Sequence, residues 1–334
     1  MANSAKRLLV VGPSWVGDMV MAQSLFMTLK ARYPGATLGV VAPAWSQPIL
    51  ERMPEVDEVL PLAVGHGEFG LASRRELAAR LRGRFDRAIV LPRSWKAALV
   101  PFMARIPERV GFLGEHRYGL LKERRKLDKQ VLDQTVKRFV SLGLPLEEAQ
   151  SGQFTIPKPR LTIDRDNLVN LRLTHALSSR PAIGMMPGAE YGPAKQWPLA
   201  YFHQLAARLI KEGFEVRVLG GAKDQAAGQV IVQGLPHAHN LCGKTQLADA
   251  VDLLADCRQV VTNDSGLMHV AAAVGTPVIV PFGSTSPELT APGLPNADHS
   301  PHQFLRTTAP CSPCFLKKCP IDLRCLQDIT PAQA

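Results

Sequence analysis

Short runs of Val, Ile and Leu alternate with amphipathic stretches along the whole chain, and this alternation limits the fold more than any other feature. The apolar runs cover residues 7–12, 36–43, 86–92 and 109–112 in the first half, and 181–188, 215–221, 259–264 and 277–283 in the second. Nearly continuous apolar strands separated by helices are typical of parallel sheets that are covered on both faces. The pattern therefore predicts an α/β protein with two doubly wound, Rossmann-like domains and mostly parallel sheets.

A proline-containing segment, FTIPKPRLTIDRD at 154–166, lies between the two sets of strands. We predict one domain at residues 1–155 and a second at 156–334. Ligands of open α/β sheets bind at the carboxyl ends of the strands, where helix N-termini point. Two such domains facing each other would leave an interdomain cleft for a ligand.

Length and hydropathy favour a protein of the cytoplasm. The chain has 334 residues, enough for two domains with sizeable cores. Its apolar runs are shorter than the roughly 18–20 residues that a membrane-spanning helix needs. The first run breaks at Gly12-Pro13 and is too short for the apolar part of a signal peptide.

The positive charge is concentrated in one stretch. Residues 74–129 contain 16 Lys and Arg against 6 Asp and Glu, which equals the net charge of +10 for the whole chain. Such a stretch suits nucleic acid, an anionic membrane surface or a phosphorylated substrate, or it forms a solvated basic face. Few aromatic residues accompany the charges, and no nucleic-acid-binding module is recognisable, so we do not expect nucleic acid as the partner.

The loop after the first strand carries a carboxylate instead of a phosphate-binding lysine. Gly12 and Gly17 have the spacing of a phosphate loop, but Asp18 follows them where that motif has Lys. The G-x-G-x-x-G dinucleotide motif does not fit either. Asp18 is then either a helix-end charge that complements the helix dipole or a general base at the ligand edge.

Two loops after strands of the second half suit an anion. Lys195, in PGAEYGPAKQWP, is a flexible point charge or a solvated lysine. In NDSGLMH we expect Asp264 to cap a helix whose first amides, at Ser265 and Gly266, are available to an anion. His269 shares that helix face and lies off the apolar stripe, which argues against a core histidine.

Two further sets of residues resemble metal-binding or reactive motifs but have structural interpretations. Asp164-Arg165-Asp166 spells the metal-binding D-x-D of many sugar transferases, but it follows the proline segment rather than a strand, so we interpret it as a decoy. Cys242 and Cys257 are expected to be buried thiols. The remaining four cysteines, Cys311, Cys314, Cys319 and Cys325, are close enough for a structural zinc site, although reduced structural thiols are favoured.

Five segments in chain order, between about residues 6 and 285, resemble glycosyltransferase family 9, the ADP-heptose transferases of lipopolysaccharide synthesis. They are GPSWVGDMVMAQSL, YPGATLGVVAPAW, RMPEVDEV, PGAEYGPAKQWP and TNDSGLMHVAAA. The first and fourth segments look like the type II members. The resemblance implies the GT-B fold, with two facing Rossmann-like domains.

The resemblance also implies a reaction: inverting, metal-independent transfer of L-glycero-D-manno-heptose from ADP-heptose to the first heptose of the lipopolysaccharide inner core. The first domain would bind the acceptor and the second the ADP-heptose. Asp18 would be the catalytic base. Lys195 and the amides of Ser265 and Gly266 would stabilise charge on the diphosphate.

Four more residues match motifs of the family. Asp264 and His269 match D-[ST]-G-x-x-H around the nucleotide sugar. Ser14 and Gly17 match the loop beside the base, and we count them among the nucleotide-sugar contacts. No cofactor is implied beyond the ADP-heptose co-substrate.

The acceptor that the resemblance implies is a lipid of the cytoplasmic leaflet whose core sugars carry carboxylates and often phosphates. It is a natural partner for the basic stretch, with Arg93, Lys96 and Arg117 as candidate contacts. We expect peripheral contact with the anionic cytoplasmic face of the inner membrane.

The alternatives are a type I heptosyltransferase or another GT-B enzyme on a nucleotide sugar, such as a UDP-GlcNAc 2-epimerase. The epimerase has no external acceptor and would not need a basic first domain.

Overall fold

The computed structural model describes residues 6–65, 68–293 and 300–334. The chain divides into two compact units, Met1–Pro159 and Arg160–Ala334, and the division falls inside the proline-containing segment. Each unit is built on a six-stranded sheet in which every described strand pair is parallel. Two Rossmann-like parallel sheets, as the alternation predicts, are therefore confirmed.

Unit 1 has the strand order β3-β2-β1-β4-β5-β6, so the order reverses between β1 and β4. Its strands are β1 Arg7–Val11, β2 Thr37–Pro43, β3 Glu58–Leu62, β4 Arg87–Val90, β5 Glu108–Phe112 and β6 Glu123–Arg125. Its helices are α1 Val16–Arg32, α2 Gln47–Leu50, α3 Leu71–Leu81, α4 Leu99–Met103, α5 Thr135–Ser141 and α6 Leu146–Ser151. The reversal is the point at which doubly wound sheets bind ligands.

The central strand β1 explains why helices cover both faces of this sheet. Leu8, Leu9 and Val10 are each at most 1% exposed, so successive side chains are buried on opposite sides. On one side α3 and α4 form a core with Leu9, and α1 packs against α5 elsewhere in the unit. Burying each such Leu or Val side chain contributes roughly 1.5–3 kcal/mol.

Unit 2 has the order β12-β11-β10-β7-β8-β9, with its reversal between β7 and β10. Its strands are β7 Ala182–Met186, β8 Glu215–Val218, β9 Ala238–Asn240, β10 Cys257–Thr262, β11 Val278–Phe282 and β12 Gln303–Arg306. Its helices are α7 Arg165–Thr174, α8 Leu199–Lys211, α9 Gln225–Val232, α10 Leu247–Ala255, α11 Gly266–Ala273, α12 Pro287–Thr290 and α13 Arg324–Gln327. The loops after β7, β10 and β11 therefore meet at one edge of the sheet, the carboxyl-end rim.

Two local predictions are confirmed. The D-x-D motif is a helix cap, because the Asp164 carboxylate accepts hydrogen bonds from the backbone N–H groups of Asp166 and Asn167 at 3.1 and 3.0 Å. Cys242 and Cys257 are buried, and burial raises the pKa of each thiol to about 12.

None of the helices in the described parts of the chain has the length and apolar character required to cross a membrane.

Candidate active site

A cavity of about 380 Å³ lies at the carboxyl-end rim of unit 1. Its walls come from the β1–α1 loop, from residues that follow β4, and from α5. Asp18 lines it from the first turn of α1, together with Ser14, Arg93, Thr135 and Arg138. A carboxylate in a cavity of this size can accept a proton from a bound hydroxyl group.

Asp18 belongs to the first turn of the helix that follows β1. α1 begins at Val16, after an extended Trp15 whose side chain makes no capping hydrogen bond. Asp18 therefore lies half-buried at the helix end where the dipole interacts favourably with negative charge. An ionised carboxylate is the form that a general base requires.

Two arginines share this cavity with Asp18. Arg93 donates from Nε and Nη2 to the carbonyl of Leu113, and Arg138 donates from the same atoms to the carbonyls of Leu132 and Asp133. Within the described residues the Nη1 group of each has no hydrogen bond. Burial, and then the neighbouring Arg93 charge, lower the pKa of Arg138. An anion between the two guanidinium groups would relieve this repulsion.

The other two candidate acceptor residues do not line the cavity. Arg117 is 1% exposed and donates to the carbonyls of Phe112, Pro92 and Ser94. Burial lowers the pKa of its guanidinium to about 10. Its described bonds thus hold the strand ends beneath the cavity. Lys96 lies in a short 3-10 turn and is half-buried.

Ser14 and Gly17 are both in the β1–α1 region of unit 1. Ser14 is exposed, and its carbonyl accepts from the Trp45 indole N–H at 3.0 Å. Gly17 is buried in the first turn of α1.

A hydrogen-bonded network occupies the rim of unit 2. Lys195, in a 3-10 turn after β7, lies 2.5 Å from Asp264 Oδ2 at the end of β10. The hydroxyl of Thr285, after β11, donates to the same oxygen at 2.7 Å, and Thr290 donates to Oδ1 at 3.5 Å. Asp264 is buried and Lys195 is partly buried, with side-chain exposed fractions of 6% and 12%. The strand ends therefore bring one cation, one carboxylate and two hydroxyl groups together.

The prediction that Asp264 caps the following helix is wrong. The N-cap of α11 is Ser265, whose side chain makes no capping hydrogen bond, while the Asp264 carboxylate bonds to Lys195 and the two threonines. A partly buried lysine nearby competes better for the carboxylate than backbone amides do. The start of α11 is left without a side-chain cap, which suits an anionic ligand.

His269, in α11, is buried and neutral. Burial is the main reason that its pKa falls to about 4; Lys195 lowers it further and Asp264 opposes the change. The expectation that it avoids the core is wrong, since only 6% of the residue is exposed. It nevertheless lies within electrostatic range of the ion pair, so it belongs to the same site.

The loop that carries Lys195 is fixed by a residue that the sequence reasoning missed. The buried amide of Asn263 donates to the carbonyl of Pro187 at 2.6 Å and accepts from the N–H of Trp197 at 2.9 Å. These bonds tie both ends of the loop to β10. Asn263 is thus a positioning residue, and its place directly after a strand is the signal that could have identified it.

The cysteine segment 311–325 packs against the same loop. The backbone carbonyl of Lys317 accepts from the N–H of Ala194 at 3.1 Å, and that of Phe315 accepts from the Tyr191 hydroxyl at 2.8 Å. A side chain at Gly192 would overlap the Lys317 carbonyl, so glycine permits this approach. The segment supports the lysine loop through backbone contacts.

The four cysteines of this segment are free thiols. Residues 6–65, 68–293 and 300–334 contain no group of three or more His, Cys, Asp or Glu side chains that could hold a metal ion. The zinc alternative is therefore not supported. Burial, and then the neighbouring thiols, raise the pKa of Cys325, so these sulfurs lie within electrostatic range of one another but not in ligand geometry.

The predicted site residues thus fall into two groups. Ser14, Asp18 and Arg93 line the unit 1 cavity, and Lys195, Asp264 and His269 interact at the unit 2 rim beside Ser265 and Gly266. The sequence reasoning missed Asn263, Thr285, Thr290 and Arg138.

Comparison with known proteins identifies the relatives of this chain. The family model described as glycosyltransferase family 9 (heptosyltransferase) matches residues 74–324. Lipopolysaccharide heptosyltransferase 2 of Salmonella typhimurium is 48% identical over 86% of this chain and 85% of its own length. Lipooligosaccharide heptosyltransferase 2 of Haemophilus influenzae is 45% identical over 85% of both chains.

A solved structure agrees with these relatives. The structure of the Escherichia coli ADP-heptose lipopolysaccharide heptosyltransferase II is 43% identical, with a TM-score of 0.85 over 98% of this chain and 96% of that chain. The prediction of the GT-B fold is therefore confirmed.

Proposed function

Because this chain belongs to glycosyltransferase family 9, the heptosyltransferases, we propose a role for each rim residue in the transfer of heptose. The chain is a glycosyltransferase that transfers heptose in synthesis of the lipopolysaccharide core. Its donor is a nucleotide-linked heptose and its acceptor is lipopolysaccharide. We assign ADP-L-glycero-D-manno-heptose as the donor and the first heptose of the inner core as the acceptor.

Asp18 acts as the general base. Its carboxylate takes the proton from an acceptor hydroxyl while that oxygen forms a bond to the anomeric carbon of the donor heptose. The bond from this carbon to the phosphate oxygen breaks, and ADP leaves with the bonding electrons. One displacement inverts the configuration. The position of Asp18 in a cavity beside two arginines supports this role.

The rim of unit 2 binds the diphosphate of the donor. Lys195 and the amides at Ser265 and Gly266 stabilise the charge that grows on the leaving ADP. Asp264 holds Lys195, and the neutral imidazole of His269 is available as a hydrogen-bond donor. Because the cation and the amide donors together stabilise the negative charge on the leaving ADP, a bound metal ion is not needed for that purpose.

Arg93 and Arg138 bind an anionic group of the acceptor, either a carboxylate or a phosphate. Their unbonded Nη1 groups and their mutual repulsion support this assignment. Arg117 supports the cavity from below, and Lys96 contributes positive charge nearby. Ser14, which lines the Asp18 cavity, and Gly17, in the first turn of α1, contact the nucleotide sugar. The enzyme works at the cytoplasmic face of the inner membrane, where the lipid acceptor is anchored.

The observation that carries the proposal is the carboxylate of Asp18 in one cavity with two guanidinium groups. The test is turnover of ADP-heptose to ADP, in EDTA, with purified acceptor that carries either no heptose or one. We expect ADP release only with the monoheptosylated acceptor. Release with the heptose-free acceptor would assign a type I reaction, and a requirement for a divalent metal would overturn the metal-independent mechanism.

A further inference from the structure

One side of unit 1 has a surface that the proposed reaction does not use. α3 and α4 pack against each other on the outside of the sheet, and their outer surface, the α3–α4 face, contains a cavity of about 850 Å³. Its lining includes five basic side chains and one aromatic ring: Arg75, Arg82, Arg105, Arg109, Lys122 and Phe102. Among the described residues no acidic side chain lines it.

Most of these cations are not neutralised by the protein. Arg75, Arg105 and Lys122 are exposed, and within the described residues their side chains have neither a hydrogen bond nor an ion pair. Arg109 is buried, and its guanidinium lies 5.6 Å from the centre of the Phe102 ring. Like charges in one open cavity repel each other, so the face is complementary to a surface with several negative charges.

Exposed aromatic rings lie on the same side of unit 1, Phe102 in the cavity and two others near the start of α3. Phe69 and Trp95, 40% and 43% exposed, have ring centres 5.2 Å apart, and Phe102 is 42% exposed. The buried Arg74 holds the first two in place, because it donates to the carbonyls of Phe69 and Lys96 at 2.7 and 3.0 Å. Exposed rings next to cations are typical of surfaces that lie in a membrane interface.

The position of the aromatic pair connects this face to the active rim. Phe69 lies two residues before α3, and Trp95 follows β4 by five residues, so both lie at the carboxyl-end rim. Arg93, which lines the Asp18 cavity, is two residues from Trp95. The aromatic pair thus lies at the end of α3 nearest the acceptor cavity, whereas the cations line the other end of α3 and α4, beside the first residues of β5 and β6. The α3–α4 face includes both ends of these helices.

We propose that the α3–α4 face docks on the anionic phospholipid surface in which the acceptor is anchored, with the cations on phosphodiester groups and the rings in the interface. The proposal rests on the proposed function, since a lipid acceptor needs a membrane-bound enzyme. It adds the surface, the lipid charge and the side chains that make the contact.

The test measures sedimentation of the full chain with vesicles of phosphatidylcholine, alone or mixed with phosphatidylglycerol. We expect binding to the mixed vesicles only, and weaker binding at high salt. R75Q/R105Q/K122Q and F69S/W95S should each weaken binding at least about tenfold. Matched controls in unit 2 are R180Q/K211Q/K244Q, which removes the same charge, and V169S/L173S, an exposed apolar pair.

Turnover separates docking from folding and from the chemistry. The docking variants should lose activity on the lipid-linked acceptor in mixed vesicles but retain wild-type turnover of a deacylated, soluble acceptor. Unchanged vesicle binding in either docking variant, or an equal loss in its control, would overturn the proposal. If the wild type binds vesicles but turns over neither acceptor, the proposed function fails and the docking surface stands.

Discussion

The rims of unit 2 and unit 1 both carry cationic side chains, but they balance this positive charge in opposite ways. At unit 2 the partly buried Lys195 is paired with Asp264, whose oxygens also accept from two hydroxyls, so the network is complete before any ligand binds. At unit 1 two guanidinium groups share a cavity, and burial and repulsion lower the pKa of one of them. The first arrangement is pre-organised for a leaving group, whereas the second requires an anion from outside to balance it.

The largest effect should come from D18N, which keeps the shape of the cavity but removes the base. We expect turnover to fall by at least about a hundredfold, the scale of general-base catalysis, while the affinity for ADP-heptose stays nearly unchanged. Steady-state kinetics and calorimetric titration of the donor measure both quantities. Turnover that survives would reduce Asp18 to a helix-end charge.

A smaller effect should follow from D264N, which leaves the partly buried Lys195 without its ionic partner. We expect the variant to lose about 3 kcal/mol of stability, and its Tm to fall by roughly 6–12 °C. The donor affinity should fall as well, because the lysine is no longer held in place.

The double variant K195M/D264N is the control for D264N. It leaves no unpaired charge, so its Tm should return toward that of the wild type while its turnover stays low. Calorimetry measures the Tm, and ADP release measures the turnover. A D264N protein with wild-type Tm and donor affinity would show that the network is not pre-organised.

The smallest effect is expected for R138Q, which removes one of the two guanidinium groups from the cavity. Loss of a hydrogen bond to a charged group, about 1.5 kcal/mol, should raise the KM for the acceptor roughly tenfold with kcat and the donor KM nearly unchanged. R80Q, an exposed arginine of α3 that does not line the Asp18 cavity, is the matched control. Equal KM values in both variants would contradict the asymmetry between the rims.

The strands that the sequence predicted and those that it missed differ in position. All eight predicted strands are present, whereas β3, β6, β9 and β12 were not predicted, and they are the edge strands of the two sheets. Edge strands are short and partly exposed, so their sequences lack the continuous Val, Ile and Leu runs of buried central strands. The burial that makes a strand recognisable is absent at the edges.

Site residues also differ in whether the sequence could predict them. Asp18 and Asp264 lie in the loop or first helical turn that follows a strand, and they could be identified because the carboxyl ends of parallel strands meet. The partner of Asp264 could not, since local helix capping and a distant lysine are equally compatible with the sequence. Arg138 lies beyond the basic stretch 74–129, and only the fold places it beside Arg93 in the cavity.

The Trp197 indole donates to the carbonyl of Ile329 at 2.7 Å, a bond between residues 132 positions apart in sequence. Because Trp197 ends the lysine loop, that loop reaches its native geometry only after this long segment of chain has folded back. Closing so large a loop costs entropy that local contacts cannot repay, which makes it a late event in folding. We therefore expect the donor rim to form late in the folding of unit 2, after the sheet that carries it.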